Sequence, residues 1–224
     1  MKKLFLLLLL SQAFYAQKTY KFDYKLEYKH KIDSTKLLSN PTYFVNSIAN
    51  NYYILIYKKD SLNIGFHFGD MNGNEQPRVI SEINESEFIK TKSISVTCEA
   101  LLKSGEYPFK DKVEDYYFEN LKDTIIDGIS HYHYVIKSNK SLKYQKREKI
   151  HQFHYIVDKN SSSFLPFFDF QTVYEEWKTD MKIIPNGIIK IKFYTNWENE
   201  VTDKWVLEKI TPIEKEIVIP ENCD

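Results

Sequence analysis

Four of the six histidines of this 224-residue chain fall between His131 and His154. His131 and His133 flank Tyr132, so on a strand both project from one face. His151 and His154 lie on the next apolar run, and antiparallel pairing through residues 138–149 would carry His154 toward that pair. Three converging imidazoles would suit zinc or another transition metal. However, His151 and His154 face opposite ways on a regular strand. No His-Glu-x-x-His, Cys-x-x-Cys or carboxylate triad completes a ligand set. The expectation is therefore cross-strand histidine and tyrosine packing on a half-wet face, with no metal and no cofactor. A metal-assisted hydrolase built on His131 and His133 stands behind two non-catalytic readings.

Other chemistry is thinner. Asp70-Met71-Asn72-Gly73-Asn74 resembles the start of a calcium loop, but an EF-hand needs Gly at its sixth position and Glu at its twelfth. Those places hold Glu75 and Ser81, so a hairpin turn is expected. There is no Gly-x-Ser-x-Gly elbow and no Ser-x-x-Lys pair, and neither cysteine sits in a catalytic setting. With six glycines the chain has neither a dinucleotide nor a P-loop fingerprint. Acids such as Asp115, Glu175 and Glu176 could pair in a groove, but that geometry is defined in space rather than by spacing. Lys143, Lys146, Arg147 and Lys149 surround Glu148 in what reads as a solvated connection.

The elements that must position these groups are mostly strands. Tyr20, Phe22, Tyr24, Leu26, Tyr28, His30 and Ile32 alternate with Lys21, Asp23, Lys25, Glu27, Lys29 and Lys31. A period of two means a strand with one buried face and one wet face. At about 3.4 Å per residue it would reach roughly 40 Å, so the sheet must bend. Asn51–Tyr57, a turn at residues 58–61, and Leu62, Ile64, Phe66 and Phe68 read as a hairpin. Further strands are expected at Ile94–Cys98, Ile125–Ile136, Ile150–Val157, Ile188–Tyr194, Lys204–Ile210 and Ile213–Ile219. Short helices are expected at Ser81–Lys92, Asp111–Leu121 and Phe170–Thr179. Nothing divides the chain, so residues 17–224 read as one β-rich domain.

Residues 1–16 have the layout of a secretory signal peptide: Lys2 and Lys3, an apolar Leu4–Leu10, then a small and polar exit. Seven apolar residues fall far short of the roughly twenty that cross a bilayer, so no transmembrane anchor is expected. Cleavage fits after Ala16, with Ala13 as the alternative. No cysteine ends the apolar run, which argues against a lipid anchor. Removing the leader takes Lys2 and Lys3 and leaves 208 residues, with 29 basic against 31 acidic side chains. A near-neutral chain has no electrostatic reason to bind nucleic acid. Export permits a disulfide between Cys98 and Cys223, and two free thiols are the open alternative. A bridge would close a loop of more than a hundred residues, worth about 4.7 kcal/mol in the loop-entropy limit.

Residues Lys18–Tyr28, with Asn46-Ser47 and Asn50-Asn51-Tyr52-Tyr53, resemble a group of uncharacterised secreted bacterial proteins. Asp127–Tyr134, and Tyr155–Lys159 with Leu165-Pro166, are similar to LolA-like periplasmic lipoprotein carriers. That resemblance covers the middle and C-terminal part of the chain. It implies an incomplete, strongly curved antiparallel barrel with helices at its mouth, binding acyl chains or lipoproteins. No functional residue of that family is matched to a position here.

The fold expected is mainly β, with α+β as the alternative: one curved antiparallel sheet or incomplete barrel carrying two or three short helices. Aromatic residues make up 16% of the chain. They suit strands, and tyrosine hydroxyls still want a polar partner when their rings are buried. The leading reading of function is an exported, non-catalytic binder of a lipid, another apolar ligand or a lipidated partner. Tyr20, Phe22, Tyr24, Leu26, Tyr28, Phe66 and Phe68 would line its concavity. The alternative is a ligand-free structural or interaction module with an envelope protein partner. A periplasmic or secreted location is expected for either.

Overall fold

The alternation that opens the chain becomes β1 (Gln17–Ile32), which buries Tyr20, Phe22, Leu26 and Tyr28 and leaves lysines on its other side. The computed structural model describes residues 17–32, 36–72, 77–103, 110–179 and 184–220, so the leader lies outside the described residues. After β1 come β2 (Lys36–Ser39), β3 (Thr42–Asn46), β4 (Ala49–Lys58), β5 (Asn63–Asp70), β6 (Pro77–Asn84) and helix α1 (Glu85–Lys90). Next are β7 (Ser93–Ser95), β8 (Leu101–Lys103), β9 (Tyr116–Ile126), β10 (Ile129–Ser138) and α2 (Leu142–Glu148). The chain closes with β11 (Gln152–Asp158), α3 (Gln171–Thr179), β12 (Ile189–Thr195) and β13 (Val201–Pro220).

Eleven strands form one open sheet in the order β8-β6-β5-β4-β3-β1-β13-β12-β11-β10-β9. Along that path every pairing is antiparallel, while β2 adds to β1 and β7 adds to β13 in parallel. The mainly β, single-sheet architecture read from the residues is present.

Bulges bend this sheet, two of them where β13 meets β1. β13 spends three residues from Lys215 to Pro212 where β1 spends two from Phe22 to Tyr24, and two from Lys209 to Leu207 where β1 spends one. Each extra residue is a bulge, which increases local twist. Pro212, which lacks a donor, sits at one of them. The outcome is large. Met71, just after β5, shares a buried cluster with Tyr134 of β10. Those strands are seven steps apart, about 33 Å in a flat sheet.

β4 is covered on both faces. Its even residues Tyr52, Ile54 and Ile56 pack with Tyr20, Phe22, Phe66, Phe68 and Phe88 of α1. Its odd residues Tyr53 and Leu55 join a cluster with Leu26, Tyr28, Tyr43 and Phe167. Lys215 secures the first cluster. Its buried Nζ donates to the carbonyls of Phe88 and Thr91 at the end of α1.

Several local expectations change. Residues 125–136 are not one strand, because Asp127 and Gly128 take positive φ (49° and 78°) and turn β9 into β10. Residues 111–121 are not a helix: a 3-10 turn at Lys110–Asp115 gives way to β9, whose register with β10 overrides local preference. The basic run at 143–149 is helical, as α2, with Ser141 capping and no buried residue. The two C-terminal strands are one, β13. Cys98 is disulfide-bonded, and Cys223, the only other cysteine, lies outside the described residues.

Gly187 closes the return from α3 into β12. Its φ is 142°, and a Cβ there would stand 2.6 Å from Val157 Cγ1 and 2.7 Å from the Asp158 carbonyl oxygen. Gly187→Ala is expected to destabilise the fold by about 1–3 kcal/mol. A lower urea midpoint at unchanged slope would register it, and an unchanged midpoint would refute it.

Candidate ligand-binding site

Strand register lays one row of side chains across five strands. Tyr134 of β10 pairs with Tyr155 of β11, Tyr155 with Lys192 of β12, Lys192 with Trp205 of β13, and Trp205 with His30 of β1. Directly paired residues share a face. The rings touch accordingly: Tyr134 and Tyr155 stack at 5.1 Å, and His30 and Trp205 at 4.1 Å. Lys192 is thus a cation in the middle of an aromatic row, its side chain 4% exposed. Its Nζ lies 4.8 Å from the Trp205 ring centre and 5.3 Å from that of Tyr43.

The counter-charge does not come from the sheet. Between β11 and α3, residues Phe164-Leu165-Pro166-Phe167-Phe168-Asp169-Phe170 run across this face as a strap. Leu165 N donates to Ser47 O at 2.8 Å, and Asn50 Nδ2 donates to Pro166 O at 2.9 Å. Phe164 meets Tyr24 at 4.7 Å, Phe167 meets Tyr43 at 4.8 Å, and Phe168 meets Tyr155 at 5.6 Å. Phe170 meets Phe153 and Tyr194. Asp169 Oδ2 accepts from Lys192 Nζ and, at 3.1 Å, from the Tyr43 hydroxyl. Helix α3 then closes the face: Gln171 donates to Met71 O at 2.8 Å, and Tyr174 to Asn72 Oδ1 at 2.9 Å.

The remaining hydroxyls are the unusual feature. Tyr28 donates to Ile189 O at 2.9 Å. The hydroxyls of Tyr134, Tyr155 and Tyr194 are buried and meet no hydrogen-bond partner among the described residues. Leaving such a group unpaired costs about 1–3 kcal/mol. Burial, and then the nearby Asp169 carboxylate, push the Tyr155 and Tyr194 phenols well above their ordinary range. They are neutral donors facing a charged centre.

The opposite face of the same strands carries the histidines. His133 Nε2 lies 3.1 Å from His154 Nδ1, one ring donating to the other. Each outer nitrogen faces a threonine hydroxyl, His133 with Thr124 at 3.2 Å and His154 with Thr195 at 3.4 Å. Phe193 stacks on His154 at 4.4 Å. Thr124, His133 and Phe193 line a hollow of about 250 Å³ with Ile156, Ile191, Val201 and Lys204. His131 stays apart, its Nδ1 2.9 Å from Ile129 O on its own strand. Among the described residues no group of three or more His, Cys, Asp or Glu is placed to hold a metal ion. Asp70 is committed to internal partners, accepting from Tyr20, Lys18 and Asn51 side chains and from Asn72 N. Residues 73–76, where the hairpin turn is expected, lie outside the described residues.

The seven aromatic and aliphatic residues singled out by periodicity divide between two clusters. Tyr24, Leu26 and Tyr28 belong to the strap face. Tyr20, Phe22, Phe66 and Phe68 pack on the far side of β4, with Tyr20 and Phe68 at 4.6 Å. Lys192, Asp169, Tyr155 and Tyr194 escaped the sequence reading. The one available signal was an acid and a lysine amid aromatic-rich runs, at Phe167–Phe170 and Lys190–Tyr194.

No protein-family model matches the chain, and no curated protein matches it. The expected similarity to lipoprotein-sorting proteins is present among solved structures, at low identity. A chain of the Pseudomonas aeruginosa MucA/MucB complex aligns at 6% identity and TM-score 0.37, over 86% of this chain and 52% of that one. This chain therefore spans about half the length of that match. A DUF1329 family protein from Desulfovibrio piger aligns at 11% identity and TM-score 0.32, over 86% of both chains. A domain named for outer membrane lipoprotein sorting, from Vibrio parahaemolyticus, aligns at 11% identity and TM-score 0.28 over 94% and 91%. No described helix is long and apolar enough to cross a membrane.

Two outcomes follow from the paired charges and the paired rings. Lys192→Met strands a carboxylate beneath the strap and is expected to cost about 3–5 kcal/mol, most of it recovered when Asp169→Leu is added. Equal losses in Lys192→Met and in the double variant would show that a stranded carboxylate is not the source of the loss. Burial and then His133 push His154 down to about 4, below its ordinary 6.5. The unfolded chain then binds a proton that the folded chain refuses, so stability falls as pH drops from about 6.5 to about 4. His154→Gln should flatten the melting temperature across that window, and an unflattened profile would place the titration elsewhere.

Proposed function

We propose that the protein is an exported, non-catalytic binder of an apolar or amphipathic ligand, seated on the sheet face now covered by the strap. The observation that carries this reading is the set of three buried, unpartnered hydroxyls on that face, Tyr134, Tyr155 and Tyr194. A core built only for stability gains nothing from them, and phenylalanine would fill the same space without the penalty. A ligand with a polar end and an apolar body would use both the hydroxyls and the rings. Tyr24, Leu26 and Tyr28 contribute lining beside Tyr43 and Tyr53. The leader at residues 1–16 directs this binder to the periplasm or beyond the cell.

Protein expressed with its leader should be purified without detergent and weighed by native mass spectrometry. The expected result is a chain beginning at Gln17 that carries a lipid-sized adduct, removed by organic extraction and restored by adding the extract back. A clean mass before extraction, with no rebinding afterward, would leave a filled interaction module instead.

A further inference from the structure

The strap is itself built like the ligand it would exchange with. Asp169 is the only charged residue between Phe164 and Phe170, and aromatic side chains stand on both sides of it. Phe167 and Phe168 are buried against Tyr43, Tyr53 and Tyr155. One carboxylate joined to an otherwise apolar body is the chemical character of a fatty acid. We propose that the ligand is a single-chain amphiphile with a carboxylate head group, which replaces Asp169 on Lys192 while its chain takes the room of Phe167 and Phe168. This inference rests on the ligand-binding reading above and names its substrate class.

Three observations support the exchange. First, Lys192 is buried on a rigid strand and its acid arrives from a non-strand segment. Lys215, the other lysine buried among the described residues, is instead committed to carbonyls at the end of α1. Second, the strap backbone is tied at its two ends, at Phe164 to Pro166 and at Phe170, whose carbonyl accepts from Tyr174 N, while among the described residues Phe167–Asp169 hold on by side chains. Third, Asp169 receives Lys192 and Tyr43 on one oxygen, Oδ2. A carboxylate can accept about four hydrogen bonds. Tyr155 and Tyr194 have donors to spare, and both phenols feel the Asp169 charge. A head group free of the strap backbone can settle among all four donors, and charge-assisted bonds of this kind are the stronger ones.

Delipidated protein should be titrated with oleate, oleyl alcohol and acetate, following tryptophan fluorescence, to which Trp205 contributes, and the native mass. Oleate is expected to bind at least about tenfold more tightly than oleyl alcohol, and acetate not at all. The isosteric pair Tyr155→Phe with Tyr194→Phe should weaken oleate by about tenfold and leave oleyl alcohol nearly unchanged. Lys192→Gln should erase the preference for the acid, and Asp169→Asn should tighten oleate by removing its internal rival. Near-ultraviolet circular dichroism confirms folding of each variant, and the two phenylalanine substitutions decide the matter if Lys192→Gln does not fold. Equal binding of oleate and oleyl alcohol would overturn the carboxylate assignment while the ligand-binding reading stood. A preference that survives both Lys192→Gln and the phenylalanine pair would overturn it as well. Binding of neither lipid would overturn the carboxylate assignment too, and the ligand-binding reading itself falls only if the protein purified without detergent also shows a clean mass.

Discussion

An ammonium group at the middle of an aromatic sheet face constrains everything around it. Taking Lys192 and Asp169 out of water costs several kcal/mol per ion, recovered only if the two meet in good geometry with further hydrogen bonds. β12 supplies the lysine, and the strand row that holds it supplies rings rather than acids. The carboxylate must therefore be delivered by a segment that crosses the face. The course of the strap, the landing of α3 near Met71 and Asn72, and the burial of Phe167 and Phe168 all accompany that delivery. An apolar strap alone could slide along an aromatic surface. One ion pair, with Tyr43 as a third member, gives it a register.

The same face explains why the chain is so rich in tyrosine. A ring buries apolar area and its hydroxyl remains available at the tip. Where the tip meets a backbone carbonyl, as Tyr28 meets Ile189, the residue ties β1 to β12 across β13. Where it meets a carboxylate, as Tyr43 meets Asp169 or Tyr20 meets Asp70, it ties a strand to a crossing segment or to a distant strand. Tyr134, Tyr155 and Tyr194 do neither, and Tyr155 and Tyr194 feel the charge of the Asp169 carboxylate that the strap brings to this face. On the far side of β10 and β11 the His133–His154 pair is satisfied by itself and two threonines. The contrast between the two faces is what supports the ligand-binding proposal for the strap side.

Bending matters as much as composition. Two bulges on β13 let β1 keep its alternation while the sheet coils around it. The even residues of β1 consequently serve two cores. Tyr20 and Phe22 meet the even face of β4, whereas Leu26 and Tyr28 meet the cluster that holds the strap. A strand of sixteen residues in a flat sheet would have kept all of them on one surface.

What the residues determined by themselves was whatever depends on neighbours a few positions away. The period of two in β1, the hairpin of β4 and β5, the helix at 171–179 and the leader-like opening are all local patterns, and a mainly β single sheet follows from them. Where local signals competed, as at Asp127-Gly128 or in residues 111–121, pairing with a neighbouring strand prevailed. The candidate site is a different kind of object. Tyr43 and Asp169 are 126 positions apart, and Tyr28 and Ile189 are 161 apart. Lys192 and Asp169 are only 23 apart, yet helix α3 lies between them. Which lysine is buried, which acid reaches it and which hydroxyls are left over depend on strand register and on the curvature set by the bulges. Neither is written in any short window of sequence, because both are properties of strands paired with partners far along the chain.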